Sequence, residues 1–500
     1  MKNRMTEQKH LGVTVLAVVL TAILLVNGCV IPWPGSAKSI YFDAASEGSG
    51  GVFVVGEDKN VAYGQRIDSE GKLRWGDGVR LSTPHCRYPP RVTGDGYGGA
   101  IIVWSESEKT DGVYSTPVTY AQKVNPEGQV LWGQGGKPLP ELSGLPRVVP
   151  DGLGGAIIIQ KGKQIRLQRI DSEGNLMWSG NVVTVCNTLS HTDGGPGVLG
   201  DSATGVLADG AGGVIVAWVD KRAGGPRNDV YAQRVSPEGE IMWQEGGVPV
   251  SVPCYGQTIL WIVSDGSDGA IVAWLYRRVS GSTSQDTPML DWFQVHAQRL
   301  SPDGEPLWQE GGVQVNILPV TTPYPLGMAS DGAGGAIIAW HPSLCWVELT
   351  TKKGSLQGLR SQSVDSQGKL QWPEEAKLFV DVNVSGRTGS WGGMLGAQVV
   401  SDGSGGAIVI GVFQGSGPLP RAQKLSPEGE LLWKEGGVQL FPEPRAKSYE
   451  NLKVMSDGSG GIIIVAEAGR RFRYSERIYA QRMDSEGKPL WTDGGVRVDQ

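Results

Sequence analysis

The residues that could support catalysis are few, and they do not form a recognisable constellation. Ser404 lies among glycines directly after Asp402-Gly403, where a serine could act as a nucleophile if a base stood beside it. Related segments of the chain carry other residues at this position, so it is interpreted as part of a turn: Tyr97, Leu153, Ala211 and Ala333. The histidines that follow the N-terminal region are dispersed and lack metal-ligand spacing: His85, His191, His296 and His341. No catalytic residue, metal or cofactor is predicted.

Aromatic and arginine side chains are a second set of candidate functional residues, because together they can bind sugars, peptides or anionic polymers. They concentrate in three segments between extended runs, 276–294, 341–360 and 470–477, and in long connections. The predicted ligand-binding residues are Tyr276, Arg277, Arg278, Trp292, Trp346, Trp391, Arg470 and Arg471. The alternative interpretation is that these long loops pack their own aromatic side chains as small hydrophobic clusters.

Carboxylates gathered from several parts of the chain offer a third chemistry. Two of them about 5–10 Å apart could hydrolyse a glycosidic bond, and such a pair need leave no linear motif. The candidates are Asp220, Asp229, Asp286, Asp291 and Glu348. A polysaccharide- or glycoconjugate-active enzyme is therefore an alternative prediction.

The elements that must position these residues are copies of one repeat. A closing tryptophan recurs as Trp75, Trp132, Trp178, Trp243, Trp308, Trp372, Trp433 and Trp491. An opening acidic-Gly turn recurs at Glu47, Asp95, Asp151, Asp209, Asp265, Asp331, Asp402 and Asp457. Self-similarity at one period predicts a repeat architecture. Most residues that recur in every copy are therefore structural.

Each repeat contains four short extended runs, for example one ending at Leu207-Ala208, then 213–218, 230–235 and 240–243. Their β-branched residues and short lengths favour strands. An Asp-Gly-x-Gly-Gly turn joins the first two runs, and a Ser-Pro-Glu-Gly turn joins the last two. Two hairpins per repeat give a four-stranded antiparallel sheet, and eight such sheets arranged radially give a β-propeller.

The strand order also separates two faces of the disc. The turns that join strands one to two and three to four lie on one face, and these turns are short and uniform. The loops that join strands two to three and the connections between blades lie on the other, which we call the variable face. Loops that differ in length and composition are the usual place for binding residues, so function is predicted there.

The N-terminal residues predict export. Lys2, Arg4 and Lys9 precede a short apolar stretch, and Gly28 precedes Cys29. This order is typical of a signal segment, and residues 26–29 resemble a bacterial lipobox in which Cys29 is lipidated. An uncleaved anchor is the alternative, since residues 11–31 approach the ~20 residues that span a membrane. The predicted organisation is 1–28 signal or anchor, 29–37 lipidated cysteine and tether, and 38–500 propeller.

Composition restricts the partners and the disulfides. The formal net charge of −6 argues against a nucleic-acid-binding protein, which should be basic. Four cysteines follow Cys29, and an even number in an exported chain permits disulfides. They fall in different repeats: Cys86, Cys186, Cys254 and Cys345. Only Cys186 with Cys254, in neighbouring repeats, is considered as a pair.

One segment resembles a known family. Residues 68–75, Asp-Ser-Glu-Gly-Lys-Leu-Arg-Trp, are similar to the tryptophan-docking motif of pyrroloquinoline-quinone propellers, shortened by one residue, and copies occur at 171–178, 365–372 and 484–491. The resemblance implies eight blades whose tryptophans lock neighbouring blades together. That family also carries adjacent paired cysteines at its cofactor, which this chain lacks, so no quinone is expected.

These observations predict an all-β, eight-bladed propeller in the cell envelope, outside the cytoplasm and attached to a membrane. The leading functional hypothesis is a non-catalytic binding or scaffolding module whose partner is an envelope protein or a glycan. A structural component of a surface layer is a further alternative. The first strand is expected at 39–44, and no exchanged strand is expected to close the ring.

Overall fold

The computed structural model describes residues 42–498 apart from 187–203, 223–226, 256–257, 279–291, 318–326, 341–358, 380–393, 414–419, 442–447, 471–472 and the single positions 112, 163, 181, 221, 253 and 493. Its strands form eight separate antiparallel sheets that follow one another along the chain. Each of eight hydrophobic clusters joins two consecutive sheets, and one of them joins the last sheet to the first. The chain is therefore an eight-bladed β-propeller, as predicted.

The first four blades contain β1 to β19. Blade one has β1 (Phe42–Ser46), β2 (Val52–Asp58), β3 (Val61–Ile67) and β4 (Val79–Arg80). Blade two has β5 (Cys86–Gly94), β6 (Ala100–Glu106), β9 (Val118–Val124) and β10 (Lys137–Leu139), with a separate hairpin of β7 (Lys109–Thr110) and β8 (Val113–Tyr114). Blade three has β11 (Pro146–Pro150), β12 (Ala156–Lys161), β13 (Ile165–Ile170) and β14 (Val183–Cys186), with a helical turn at Trp178–Gly180. Blade four has β15 (Thr204–Ala208), β16 (Val214–Asp220), β17 (Arg227–Val235), β18 (Val248–Pro249) and β19 (Cys254–Tyr255).

The other four blades contain β20 to β35. Blade five has β20 (Thr258–Ser264), β21 (Ala270–Arg278), β22 (Trp292–Leu300) and β23 (Val313–Gln314). Blade six has β24 (Gly327–Ser330), β25 (Ala336–Trp340), β26 (Leu359–Val364) and β27 (Ala376–Leu378). Blade seven has β28 (Met394–Ser401), β29 (Ala407–Phe413), β30 (Arg421–Leu425) and β31 (Val438–Gln439). Blade eight has β32 (Ser448–Ser456), β33 (Ile462–Arg470), β34 (Arg473–Met483) and β35 (Val496–Arg497).

Two predicted strands differ from the structure. The first described strand, Phe42–Ser46, includes residues 42–44 of the predicted 39–44 and continues two residues further, whereas residues 39–41 lie outside the described residues. The fourth strand of blade four is Val248–Pro249 rather than 240–243, where only Ile241 bridges strand three. The reason is that Trp243 leaves the sheet to pack against blade five, and the Gly246-Gly247 turn then brings the chain back to β17.

The closing tryptophans fasten each blade to the next. The indole Nε1 of Trp243 donates to the carbonyl oxygen of Pro302 in blade five, at 2.8 Å. The corresponding bonds occur in all eight blades, and the last one runs from Trp491 to Ser69 O in blade one, at 3.1 Å. The packing role predicted for these tryptophans fits this arrangement. Among the described residues, each blade is built from consecutive strands, and blades eight and one meet through side-chain contacts.

A buried glutamine on the third strand of each blade holds the tryptophan segment in place. In blade five, Gln298 accepts hydrogen bonds at Oε1 from the backbone N–H groups of Trp308 and Arg299, and its Nε2 donates to Gln309 O at 2.9 Å. Gln298 is fully buried. The equivalent residues are Gln65, Gln122, Gln168, Gln233, Gln362, Gln423 and Gln481. The buried glutamines thus supply hydrogen-bond partners for backbone N–H and C=O groups where the chain leaves the sheet.

Four further tryptophans lie on the second strand of their blades and are buried between blades: Trp104, Trp218, Trp274 and Trp340. Trp218 of blade four, for example, packs on Ile157 and Ile159 of blade three. The interpretation of these side chains as inter-blade packing rather than ligand platforms is confirmed.

Candidate functional site

The acidic residue that opens each first hairpin has a structural role. Asp457 accepts hydrogen bonds at Oδ1 from the backbone N–H groups of Ser459 and Gly461, both at 2.8 Å, and pairs at Oδ2 with Arg482 at 2.9 Å. Arg482 also donates to Ser69 O of the next blade. Seven blades have such an ion pair, and blade six has Ser363 at the cation's position. These carboxylates therefore stabilise the turns and blades of the propeller.

The hydrogen bonds around Asp457 predict a pH dependence of stability. Burial alone would raise the pKa of Asp457, but hydrogen bonds from Ser459, Gly461 and Arg482 outweigh it and hold the pKa below its ordinary value. A carboxyl whose pKa is lower in the folded state stabilises the fold above the unfolded pKa of about 3.9, and this stabilisation is lost as the pH falls below that value. Asp457→Asn is expected to lower the melting temperature at pH 7. Between pH 5 and pH 3 its melting temperature should fall less than that of wild type.

The matched control for this prediction is the exposed ion pair in the second turn of the same blade. Lys488 and Glu486 lie 2.7 Å apart with side chains about seven-tenths exposed. Because exposed pairs contribute little, Glu486→Gln should leave the melting curve nearly unchanged at both pH values. Equal acid sensitivity of wild type and Asp457→Asn in a thermal melt would refute the role given to Asp457.

The structure places the predicted ligand-binding residues only in part. Tyr276 stacks on His296 at 5.2 Å between ring centroids, and His296 stacks on Trp274 at 6.0 Å. Tyr276 thus belongs to an aromatic stack. Packing of this kind is what the alternative interpretation expects of the aromatic side chains. Of the other predicted residues, the backbones of Arg277, Arg278, Trp292 and Arg470 are described, whereas Trp346, Trp391, Arg471 and the predicted lipidation residue Cys29 lie outside the described residues.

The loop bounds predicted on the variable face were too wide. In blade five, β21 continues to Arg278 and β22 begins at Trp292, with Arg278 and Trp292 as register partners. In blade eight, Arg470 and Arg473 are register partners at the end of the β33–β34 hairpin. Antiparallel pairing continues past the part of the repeat that recurs in every blade, so these residues extend the two strands toward the variable face.

Only one pair among the candidate carboxylates has both backbones described. Asp220 and Asp229 are register partners on β16 and β17, in the middle of blade four, and Asp229 is 2% exposed. They do not lie on the first strand, which borders the axis. Asp286, Asp291 and Glu348 lie outside the described residues. Within the described chain, no group of three His, Cys, Asp or Glu side chains is arranged to hold a metal ion.

Cys86 and Cys186 are buried. Burial raises the pKa of the Cys86 thiol to about 12, and its Sγ donates to Tyr88 O at 3.2 Å. Cys186 Sγ lies 3.7 Å from the Arg222 guanidinium, and the Cys254 side chain is outside the described residues, so a Cys186–Cys254 disulfide stays a prediction. In the part of the chain that the structure covers, no helix has both the length and the apolar character needed to cross a membrane.

Sequence reasoning missed the β7–β8 hairpin of blade two, which projects from the loop between strands two and three on the variable face. Val113 is 71% exposed and Tyr114 is 46% exposed. The Arg87 guanidinium lies 4.0 Å from the Tyr114 ring centroid, and Lys109 Nζ lies 5.3 Å from it. The signal was available in the sequence, because Lys109 and Tyr114 bracket the turn at Asp111-Gly112.

A second missed feature lies at the axis. The first strands form the inner ring of the propeller, where a Cβ built on Gly205 of blade four would lie 2.8 Å from Ile262 of blade five. Four positions before each opening acidic residue, every blade contributes one residue of its first strand to this ring. We call these residues the axial belt: Asp43, Arg91, Arg147, Gly205, Trp261, Gly327, Gln398 and Lys453.

Contacts between the belt residues run around the axis. Asp43 of blade one accepts from Lys453 Nζ of blade eight at 2.9 Å and lies 4.0 Å from Arg91 Nη1 of blade two. Arg147 donates to Thr204 O in blade four at 2.9 Å, and Gln398 donates to Leu452 O in blade eight at 2.7 Å. These contacts cross four of the eight blade boundaries, and the charged residues of the belt occupy four consecutive blades.

Comparison with protein-family models and with curated proteins gives no match. Among solved structures, the chain is similar to the β-propeller domain of the Trilobed protease from Pyrococcus furiosus, with 12% identity over 79% of this chain and 99% of that chain and a TM-score of 0.36. A protein from Lactobacillus plantarum has 12% identity over 88% of this chain and 95% of that chain, with a TM-score of 0.39. The GH43 protein BlXynB of Bacillus licheniformis has 11% identity over 91% of this chain and 89% of that chain, with a TM-score of 0.27. These similarities concern the fold alone.

Proposed function

We propose that this chain is a membrane-tethered extracytoplasmic module that binds an envelope protein or a glycan without catalysis. The ligand meets the variable face. The observation that carries the proposal is the division of the polar residues into two groups. Those that recur in every blade hold blades together, and those that differ between blades lie at the axial belt and on the variable face.

The recurring group is satisfied within the fold. The opening acidic residues of seven blades pair with third-strand cations, the buried glutamines hold the backbone of the tryptophan segment, and the indole N–H groups donate to the next blade. By contrast, each residue type in the belt differs from blade to blade except for its two arginines and two glycines. Chemical variation within a uniform frame is the pattern expected of a binding site on a repeat scaffold.

The β7–β8 hairpin supplies a test of the variable face. We expect the double variant Val113→Ser with Tyr114→Ser to lose a partner that wild type captures from a detergent-solubilised envelope fraction. The full chain, tagged at its C-terminus, serves as bait. Loss is expected because these two side chains offer exposed apolar and aromatic contact area that a partner can bury.

The matched control changes two exposed apolar residues on the opposite face. Tyr97 and Leu153 lie in opening turns and are 73% and 52% exposed. The double variant Tyr97→Ser with Leu153→Ser should capture the same partner as wild type. Equal capture by all three baits, in the presence of normal melting curves, would remove the hairpin from the proposed binding face.

The alternative predictions make different demands. A polysaccharide-active enzyme needs two carboxylates near the axial mouth, and a hydrolysis assay on acidic and neutral polysaccharides tests for it. A surface-layer component needs self-association, which light scattering on the purified chain measures. Both stay predictions.

A further inference from the structure

We propose that the boundary between blades six and seven binds the guanidinium group of an arginine side chain supplied by a protein partner. The site, which we call the blade-six notch, consists of Asp331, Ser363, Gly405 and Pro427. It lies on the face opposite the variable face, so the inference is independent of the proposed function. The guanidinium of the partner takes the place of an arginine that other blades carry on their own third strand.

Five blades show how this chain holds a guanidinium at a blade boundary. In blade five, Arg299 pairs with Asp265 of its own blade at 2.9 Å and donates to Ser366 O of the next blade at 3.2 Å. The same carbonyl oxygen accepts the indole N–H of Trp308. The other arginines with this pair of contacts are Arg66, Arg169, Arg234 and Arg482. A carboxylate of one blade and a carbonyl oxygen of the next thus form a recurring guanidinium site.

Blade six has a serine where these blades have the arginine. Ser363 occupies on β26 the register position that Arg299 occupies on β22, so both side chains point to the same side of their sheets. Ser363 is 5% exposed, and its hydroxyl makes no hydrogen bond to any residue that the structure describes. Buried hydroxyl groups normally have a partner. This hydroxyl is directed into the space that the arginine side chain fills in blade five.

Two further oxygen atoms of the notch are incompletely used. Asp331 accepts the backbone N–H groups of Ala333 and Gly335 at Oδ1, whereas no described residue donates to its Oδ2. Pro427 O accepts the indole N–H of Trp372 at 2.8 Å and, within the described chain, no second donor. In the five arginine blades, the corresponding carboxylate and carbonyl oxygens both accept the guanidinium as well. The notch therefore presents the acceptors that hold an arginine elsewhere in the ring.

The space for the guanidinium is open as far as the described residues define it. In three arginine blades the guanidinium lies against a glycine in the opening turn of the next blade, where a built Cβ would come 2.5, 2.7 or 2.8 Å from it: Gly50, Gly212 and Gly334. A Cβ built on the equivalent Gly405 would have Pro427 Cγ as its nearest neighbour, at 3.5 Å, and would meet no side chain of blade six. Those three glycines are buried, whereas Gly405 is half-buried. A cation from solvent can therefore enter the notch.

The charge and shape of the notch favour a guanidinium. Asp331 is the one opening acidic residue among eight whose blade has no third-strand cation. A carboxylate at a partly desolvated boundary attracts a cation more strongly than one in open water does. A guanidinium is planar and presents several N–H donors, so it can bind Asp331 Oδ2 and Pro427 O at the same time. A lysine ammonium is a point charge and fits this divided pair of acceptors less well.

The rim of the notch favours a side chain presented by a protein over a free small molecule. The residues around it in the two opening turns are small and exposed: Gly332, Ala333, Gly403 and Ser404. Small-molecule sites are concave and enclose most of the ligand, which these turns do not do. A free alkylguanidinium would gain only the contacts of its charged group. A protein backbone that lies across the turns adds buried area and hydrogen bonds.

The experiment measures binding to the full chain by saturation-transfer difference NMR in a polyoxyethylene detergent. The probe is a pentapeptide with blocked termini that has arginine at its centre and glycine elsewhere. Wild type should bind it saturably and should bind the citrulline peptide, which has the same shape without the charge, about tenfold more weakly. The lysine peptide and free propylguanidinium should each bind several-fold more weakly than the arginine peptide.

Three variants locate the site and separate binding from folding. Asp331→Asn should weaken binding of the arginine peptide about tenfold. Ser363→Arg should abolish this binding, because the chain then fills its own notch, and should raise the melting temperature, because it adds the ion pair of the other blades. A misfolded protein would lose binding and stability together. Glu374→Gln is the matched control, since it removes an exposed carboxylate of the same blade outside the notch, and it should bind as wild type does.

Four outcomes would overturn the proposal or a part of it. Equal losses in Asp331→Asn and Glu374→Gln would indicate non-specific attraction, and unchanged binding in Ser363→Arg would place the peptide elsewhere. Equal binding of the arginine and citrulline peptides would remove the guanidinium assignment. Tighter binding of propylguanidinium than of the arginine peptide would replace the protein partner with a free small molecule.

The result is distinguishable from that of the capture test on the variable face. If the arginine peptide does not bind while the β7–β8 variant still loses its captured partner, the notch inference fails and the proposed function stands. If the peptide binds as described while capture is the same for all baits, the notch inference stands and the variable face loses its support.

Discussion

Trp243→Ala is expected to lower the free energy of unfolding by about 3–5 kcal/mol. The side chain is 7% exposed and packs in the cluster that joins blades four and five, beside Ile215, Trp274 and Leu300. Its removal deletes this contact area and leaves a cavity between two blades. It also removes the indole N–H that donates to Pro302 O at 2.8 Å. Urea denaturation monitored by circular dichroism measures the loss.

A phenylalanine variant separates packing from hydrogen bonding at the same site. Trp243→Phe keeps an aromatic ring between the blades but cannot donate to Pro302 O, so the loss should be smaller than that of Trp243→Ala. A net hydrogen bond contributes about 1 kcal/mol, which sets the expected share of the N–H. An unchanged denaturation midpoint for Trp243→Ala would show that the tryptophan does not hold the blades together.

The last blade extends this prediction to the closure of the ring. Trp491 of blade eight donates to Ser69 O of blade one and packs with Phe42 and Val52. In an open array, a residue at the free end would contribute little to stability, whereas in a closed ring it contributes as much as an internal one. Trp491→Ala should therefore destabilise the chain about as much as Trp243→Ala does.

The sequence predicted the frame of the propeller because the frame repeats. Eight tryptophans and eight acidic-Gly turns specified the number of blades, the hairpins and the two faces of the disc. The position of the fourth strand could not be predicted in the same way. Leu431 and Leu432, which precede Trp433, read as an apolar strand, yet they are 41% and 52% exposed because the chain there turns toward the next blade.

The axial belt was missed for the opposite reason, because its residues do not repeat. Asp43, Arg91 and Lys453 come from segments more than 400 residues apart at the extremes, and no linear motif joins them. Counting four positions back from each opening acidic residue would have assembled the belt from the sequence. What the sequence could not supply is the contact geometry, such as the 2.9 Å between Asp43 and Lys453 across the ring closure.

The second large effect is expected from Gly304→Ala, in the turn between strand three and the tryptophan segment of blade five. Gly304 has a φ of +86°, and a Cβ built there would lie 2.7 Å from the Trp243 ring of the preceding blade. The variant must accept a strained backbone and push the tryptophan out of its site. We expect a loss of about 2–4 kcal/mol, the sum of a left-handed alanine and an overpacked contact.

Gly403→Ala is the matched control for this close approach. Gly403 has a φ of +76° in the opening turn of blade seven, and a Cβ there would meet no atom within 4 Å. Gly403→Ala has the backbone strain without the clash, so it should lower the free energy of unfolding by about 1–2 kcal/mol. The difference between the two variants in urea denaturation measures how tightly the turn of one blade packs on the tryptophan of its neighbour. Equal losses would mean that the tryptophan moves aside freely, and the docking of blade on blade would then not limit the stability of the ring.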